Sequence, residues 1–182
     1  MADTSRNADV PKTSPHSSQP TSSPTEYPRA LGSVRLGYLT EVTTSPGRQR
    51  TAIQLCTEQL GFALIAEATD LGVSAHRMSP FERPSLSSWL RRPDEYDAIV
   101  WAHVDRAVRS VAHMSELIEW GQKRAKTLAV GTPGEHQPLV VTPQADGDAV
   151  RRCMNLAYAL EQETLAVSTR LAGTHEVLRE QP

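Results

Sequence analysis

Four arginines in three separate segments carry the strongest chemical signal in this chain: Arg35 in "SVRLGYL", Arg83 in "FERP", and Arg106 with Arg109 in "HVDRAVR". A guanidinium stays charged at any biological pH and offers donors in a planar fork that matches phosphate and carboxylate oxygens. Such groups repel one another unless an anion or a carboxylate sits among them. Asp70 and Asp105 supply only part of that compensation, so a phosphate is the guest this set would suit. Gln49 and Ser74 could add neutral hydrogen bonds at the same place. Any one of these residues alone reads as a solvated group or a cap; it is their convergence that points to a site. His103 beside Asp105 invites an acid–base role, but a lone histidine at a strand end is more often structural, and none is assigned to it.

Convergence requires that these segments meet at one edge of a sheet. "SVRLGYL" reads as a short strand, followed by Thr44 and Ser45 as N-caps, Pro46 in the first helical turn, and Ile53, Cys56 and Leu60 at helical spacing until Gly61 stops the helix. "FALIA" (62–66), "AIVWA" (98–102) and "TLAV" (127–130) are further apolar strands, and "LVVT" (139–142) is a candidate fifth. Between them lie a helix opened by Pro84 and running through Trp89 and Leu90, and one with Val111, Met114, Leu117, Ile118 and Gly121 on a single stripe. Alternating strands and helices predict an α/β fold, a mainly parallel sheet covered on both faces, with its sites at the strand ends. Arg106 and Arg109, three apart, would share a helical face if the next helix has begun by then.

The tail and the end of the chain differ from this grammar. Residues 1–30 are rich in Ser, Thr and Pro and read as a disordered segment; residues 31–145 form the α/β domain. Residues 146–182 read as one long helix with Val150, Met154, Ala157, Leu160, Thr164, Val167, Leu171 and Leu178 on a stripe, and Gly173 is expected to weaken or bend it. Such a helix either overshoots to pack against another chain or folds back on its own domain.

Composition narrows the function classes. With 182 residues and a net charge of −2, the chain has one ordinary core and does not coat nucleic acid through bulk charge, although a local basic site remains open. Its two cysteines, Cys56 and Cys153, form no metal-binding spacing, so neither a metal nor another cofactor is expected. "SVRLGYLTEVTTS" contains no glycine-rich phosphate loop, which argues against a generic nucleotide binder. Nothing resembles an export signal or a membrane span, so the expectation is a cytoplasmic protein without a membrane partner.

Taken in order, "VRLGYLTEVTTSPGRQR", "DLGVSA", "FERPSLSSWL" and "YDAIVWAHVDRAVRSVAHMSELIEW" resemble the catalytic domain of site-specific serine recombinases, nearest to the large serine integrases of actinobacterial phages. The likeness spans about residues 31–180. It implies a resolvase-like α/β domain followed by a long helix used for dimerisation and for lying on DNA. It also implies metal-independent transesterification, in which a serine hydroxyl attacks a DNA phosphodiester, forms a 5'-phosphoserine link and frees a 3'-hydroxyl. Carried over by match, Arg35, Arg83, Arg106 and Arg109 stabilise the phosphoryl transition state, while Gln49, Asp70, Ser74 and Asp105 occupy supporting polar positions.

Three departures qualify this. Where the family motif places the nucleophilic serine two residues after the arginine, this chain has Gly37, which can neither attack phosphorus nor hold a covalent link. The neighbouring hydroxyls of Tyr38, Thr40, Thr43, Thr44 and Ser45 lie on the other face or further into the loop. Related integrases carry a second acidic residue where this chain has Gly72. The family continues into DNA-binding domains, whereas this sequence stops at Pro182, so sequence-specific readout is expected to be missing and DNA contact limited to phosphates. The resulting expectation is a catalytically inactive member of a DNA strand-exchange family, forming a homodimer or a heterodimer with a related recombinase through the last helix. The alternative is a non-catalytic dimerisation module that regulates an active recombinase.

Overall fold

Apolar runs with little internal polarity become the central strands of one five-stranded sheet. The computed structural model describes residues 27–37, 45–74, 78–132, 134, 137–144 and 147–179. In chain order the elements are β1 (Arg29–Leu36), α1 (Pro46–Leu60), β2 (Ala63–Leu71), α2 (Pro84–Leu90), a 3-10 turn (Pro93–Glu95), β3 (Ala98–Trp101), α3 (Val104–Ala107), α4 (Val111–Lys123), β4 (Thr127–Val130), β5 (Leu139–Val141) and α5 (Gly147–Arg179). The strand order is β2-β1-β3-β4-β5, with every pair parallel except β4 with β5. From β1 the chain passes first to β2 on one side and then to β3 on the other. The crevice between the carboxyl ends of β1 and β3 is therefore the switch point, where open α/β sheets place their sites.

Strand alternation divides the core in two. Ala30 and Val34 of β1, with Ala98 and Val100 of β3, pack beneath Ile53 and Cys56 of α1. Leu31, Ile99 and Trp101 turn to the opposite face and meet Leu86 of α2 and Leu117 of α4. By the same alternation Arg35 belongs to the α2 side. At the carboxyl edge β3 and β4 approach so closely that a Cβ on Gly131 would lie 2.6 Å from the Ala102 carbonyl oxygen. No side chain fits there without displacing backbone.

Several expectations are corrected. β2 runs from Ala63 to Leu71 rather than ending at Ala66. Its second half mixes polar Glu67, Thr69 and Asp70 into the strand, which hides it from an apolar-run criterion. As an edge strand it leaves Leu64 and Ile65 exposed, so the sheet is not covered on both faces there. Arg106 and Arg109 do not share a helix: α3 stops at Ala107 because Val108 adopts an extended conformation (φ −145°), and Arg109 lies in the link before the α4 N-cap Ser110.

α5 has 33 residues and is ~50 Å long at 1.5 Å per residue. It continues through Gly173. Its first half folds back on the domain, burying Cys153 and Ala157, whereas Leu165 and Val167 are about half exposed (49% and 48%). The tail up to Glu26 and the loop residues Tyr38, Thr40, Thr43 and Thr44 lie outside the described residues.

Candidate active site

The site begins with a clamp on β1. Gln49, fully buried in the first turns of α1, accepts a hydrogen bond from the Arg35 backbone N–H (3.1 Å) and donates its side-chain amide to the Arg35 carbonyl (2.8 Å). It imitates a neighbouring strand and satisfies both main-chain groups of a buried residue. α1 is held at its start by Ser45, whose hydroxyl accepts from the Arg48 N–H. Ser45 is thus exposed and engaged as a cap.

Arg35 is 1% exposed. Its guanidinium donates to the Val73 carbonyl (2.7 Å) and the Asp105 carbonyl (3.2 Å), which ties the end of β1 to the segments after β2 and β3. Gly37 follows at the end of β1 and is buried. Among the described residues the left-handed region is occupied by Ala125, Gly61, Gly72 and Gly134. At Gly72 the turn requires glycine: φ is +73°, and a side chain there would be strained.

Asp70 sits opposite Arg35 on the neighbouring strand. Its two carboxylate oxygens accept the backbone N–H groups of Ser85 (2.8 Å) and Leu86 (3.1 Å). These are orphan donors of the first turn of α2, whose N-cap residue, Arg83, makes no side-chain cap bond. Asp70 thus caps α2 from outside the helix. Ser74 is half-buried just beyond the Gly72 turn, and its carbonyl accepts from the Met78 N–H.

Arg83 is 0% exposed. Its Nη1 donates to the Arg106 carbonyl (3.0 Å) and its Nη2 to the Ala107 carbonyl (2.6 Å), closing the C-terminal end of α3. Burial, and secondarily the charge of Arg35, push its pKa down to about 9, with Asp70 acting in the opposite direction. At neutral pH it remains a cation. Arg106, also buried, pairs with Asp105 at 2.9 Å, and Arg109, partly exposed, reaches the same carboxylate oxygen at 3.7 Å.

All four arginines therefore meet around α3, two holding its carbonyls and two gathered on its carboxylate. A cavity of about 310 Å³ adjoins the second pair, with Asp105, Arg106 and Arg109 on one wall and Leu160, Glu163 and Thr164 of α5 on the other. The sequence did not foretell the part of α5 in this wall or of the Val73 and Asp105 carbonyls; backbone acceptors carry no residue-type signal. Among the described residues no group of three or more His, Cys, Asp or Glu is placed to hold a metal ion, and no helix is long and apolar enough to cross a membrane.

Residues 32–177 match the family model described as the resolvase N-terminal domain. The chain belongs to the resolvase family. Solved structures similar to this resolvase-family chain include two catalytic domains and a site-specific recombinase. The N-terminal catalytic domain of TP901-1 integrase has a TM-score of 0.50 at 14% identity, covering 76% of this chain and 98% of that one. A resolvase-family site-specific recombinase from Streptococcus pneumoniae gives 0.52 at 13% identity, covering 84% and 99%. The C-terminal catalytic domain of ISC1926 TnpA, an IS607-like serine recombinase, gives 0.50 at 12% identity, covering 84% and 99%. No curated protein matches the chain.

In this resolvase-family chain the fold and the arginine constellation are thus present together. Arg35 and Arg83 are buried with their guanidinium groups on main-chain carbonyls, Arg106 and Arg109 line the open cavity, and residue 37 carries no side-chain hydroxyl.

Proposed function

We propose that this resolvase-family domain binds DNA through backbone phosphates near Arg106 and Arg109 and does not cleave it. The observation that carries the reading is Gly37, buried at the end of β1 two residues from Arg35. Strand exchange by phosphoserine chemistry requires a hydroxyl at that point, because the covalent link conserves the bond energy for religation. Loss of a nucleophile in a serine hydrolase costs on the order of a million-fold in turnover. Ser45, the one described hydroxyl among residues 38–45, is engaged at the α1 N-cap. Among the site residues, Gln49 holds Arg35, Asp70 holds α2, and Asp105 gathers Arg106 and Arg109 for a phosphate.

The test is incubation of the full chain with supercoiled plasmid, followed by denaturing gels and a filter-binding titration against salt. Retained duplex with no nicking and no protein-linked 5' end is expected, with affinity falling steeply as salt rises. Nicked plasmid carrying protein would sink the proposal.

A second reading, a dimerisation module acting on an active recombinase, is favoured by the exposed Leu156 and Val167, which lie on one side of α5, while the exposed Leu165 lies on the opposite side. Subunit exchange with an intact recombinase, read by cross-linking, supports this if mixed dimers form and removes it if they do not.

A further inference from the structure

We propose that Arg83 is a positioning residue, which sets α3 and hence Arg106 and Arg109, and that it never touches the phosphate. This rests on the anion-binding reading above for its functional consequence. The geometric grounds are independent of it.

First, Arg83 has no accessible surface, and both of its terminal nitrogens donate to main-chain carbonyls of Arg106 and Ala107. An oxyanion cannot reach it in the folded conformation. Second, the acceptors it uses are the last carbonyls of a four-residue helix. So short a helix has almost no cooperative hydrogen bonding of its own and needs outside partners to persist. A bidentate fork is suited to two adjacent carbonyls, and a lysine would satisfy one at most. Third, Arg83 is itself fixed: it is the residue immediately before Pro84, and α2 is anchored by Asp70 through Ser85 and Leu86. The chain of support therefore runs from β2 through Asp70 to α2, then through Arg83 to α3, and ends on the two arginines that flank the open cavity.

The Nε of Arg83 is buried without a hydrogen-bond partner among the described residues. That unsatisfied donor, together with a nearby Arg35, makes the placement costly, which a residue serving only general packing would not require. An apolar side chain would fill the same volume at less cost.

The test compares Arg83→Lys, which keeps the charge and loses the fork, with Arg83→Met, which keeps only volume, using Arg109→Gln as the phosphate-contact control. For a positioning role, both Arg83 variants lower duplex affinity by about tenfold while leaving the slope of log K against log salt unchanged; Arg109→Gln lowers that slope by about 0.9. In hydrogen exchange, the α3 amides of Arg106, Ala107 and Val108 exchange faster in both Arg83 variants, whereas α1 amides keep their wild-type rates. A slope that drops in Arg83→Met, full affinity in Arg83→Lys, or α3 amides at wild-type rates would each overturn the proposal. The exchange measurement needs no DNA, so a wild-type chain that fails to bind duplex would defeat the proposed function and still decide the role of Arg83.

Discussion

Replacing Asp70 should loosen α2 rather than merely remove a charge. Its carboxylate accepts two first-turn N–H groups at 2.8 and 3.1 Å and lies near the fully buried Arg83. Loss of an N-cap costs about 1 kcal/mol. Leaving buried N–H donors unpaired adds about 1–2 kcal/mol, part of which is the same effect counted from the other side. Removing the carboxylate nearest a buried cation adds a further contribution of similar size. We therefore expect Asp70→Ala to destabilise the fold by about 3 kcal/mol, or about 6–12 °C in Tm for a domain of this size. Asp70→Asn keeps one carbonyl acceptor and should lose about half as much. The double variant Asp70→Ala with Arg83→Met should cost less than the sum of the singles by about 1 kcal/mol, because the cation and its counter-charge leave together. Urea denaturation of wild type and the four variants reads these differences. An Asp70→Ala midpoint within about 0.5 kcal/mol of wild type, or equal losses for Asn and Ala, would refute the cap and its coupling to Arg83.

Two other outcomes follow from packing and titration. Gly131→Ala should destabilise by about 1–3 kcal/mol, since its Cβ would meet the Ala102 carbonyl oxygen at 2.6 Å and the obstacle is backbone; an unchanged midpoint would contradict this. Burial pushes the Cys56 and Cys153 thiols up from 9.0 to about 11. Between those values the unfolded chain has released protons that the folded chain retains, so stability falls as pH rises, by up to about 1.4 kcal/mol per pH unit for each thiol. Tyr96, also raised by burial, adds to the decline at still higher pH. Urea midpoints measured from pH 8 to 10.5 should fall, and less steeply in Cys56→Ala; a flat profile would contradict the assignment.

The parts of the fold that could be read from sequence are those where a local pattern and the tertiary environment agree. "AIVW" and "TLAV" are apolar throughout because β3 and β4 are covered on both faces, and Ser45, Pro46 and Gly61 mark α1 at both ends. The apolar pattern stops short of the end of β2 because an edge strand tolerates Glu67 and Asp70 in its second half. α3 escaped because four residues are too few for a period to register. The convergence of the arginine segments was legible, since a parallel sheet brings the ends of β1, β2 and β3 to one edge. The division of labour among the arginines was not. Burial separates Arg83 from Arg109, and only the folded chain discloses which carbonyls a guanidinium meets. For the same reason Asp70, 15 residues before Ser85, gave no sign of being the cap of α2.

The proposed loss of nucleophilic chemistry is tested most directly by mapping protein–DNA adducts. Wild type and Gly37→Ser are incubated with supercoiled plasmid, digested with protease and nuclease, and examined by mass spectrometry for a nucleotide-linked peptide. An adduct on residue 37 in the variant and none anywhere in wild type is the expected result. A wild-type adduct on any serine or threonine, whether Ser45, Ser74 or a loop residue such as Thr40, would contradict the loss of nucleophilic chemistry outright.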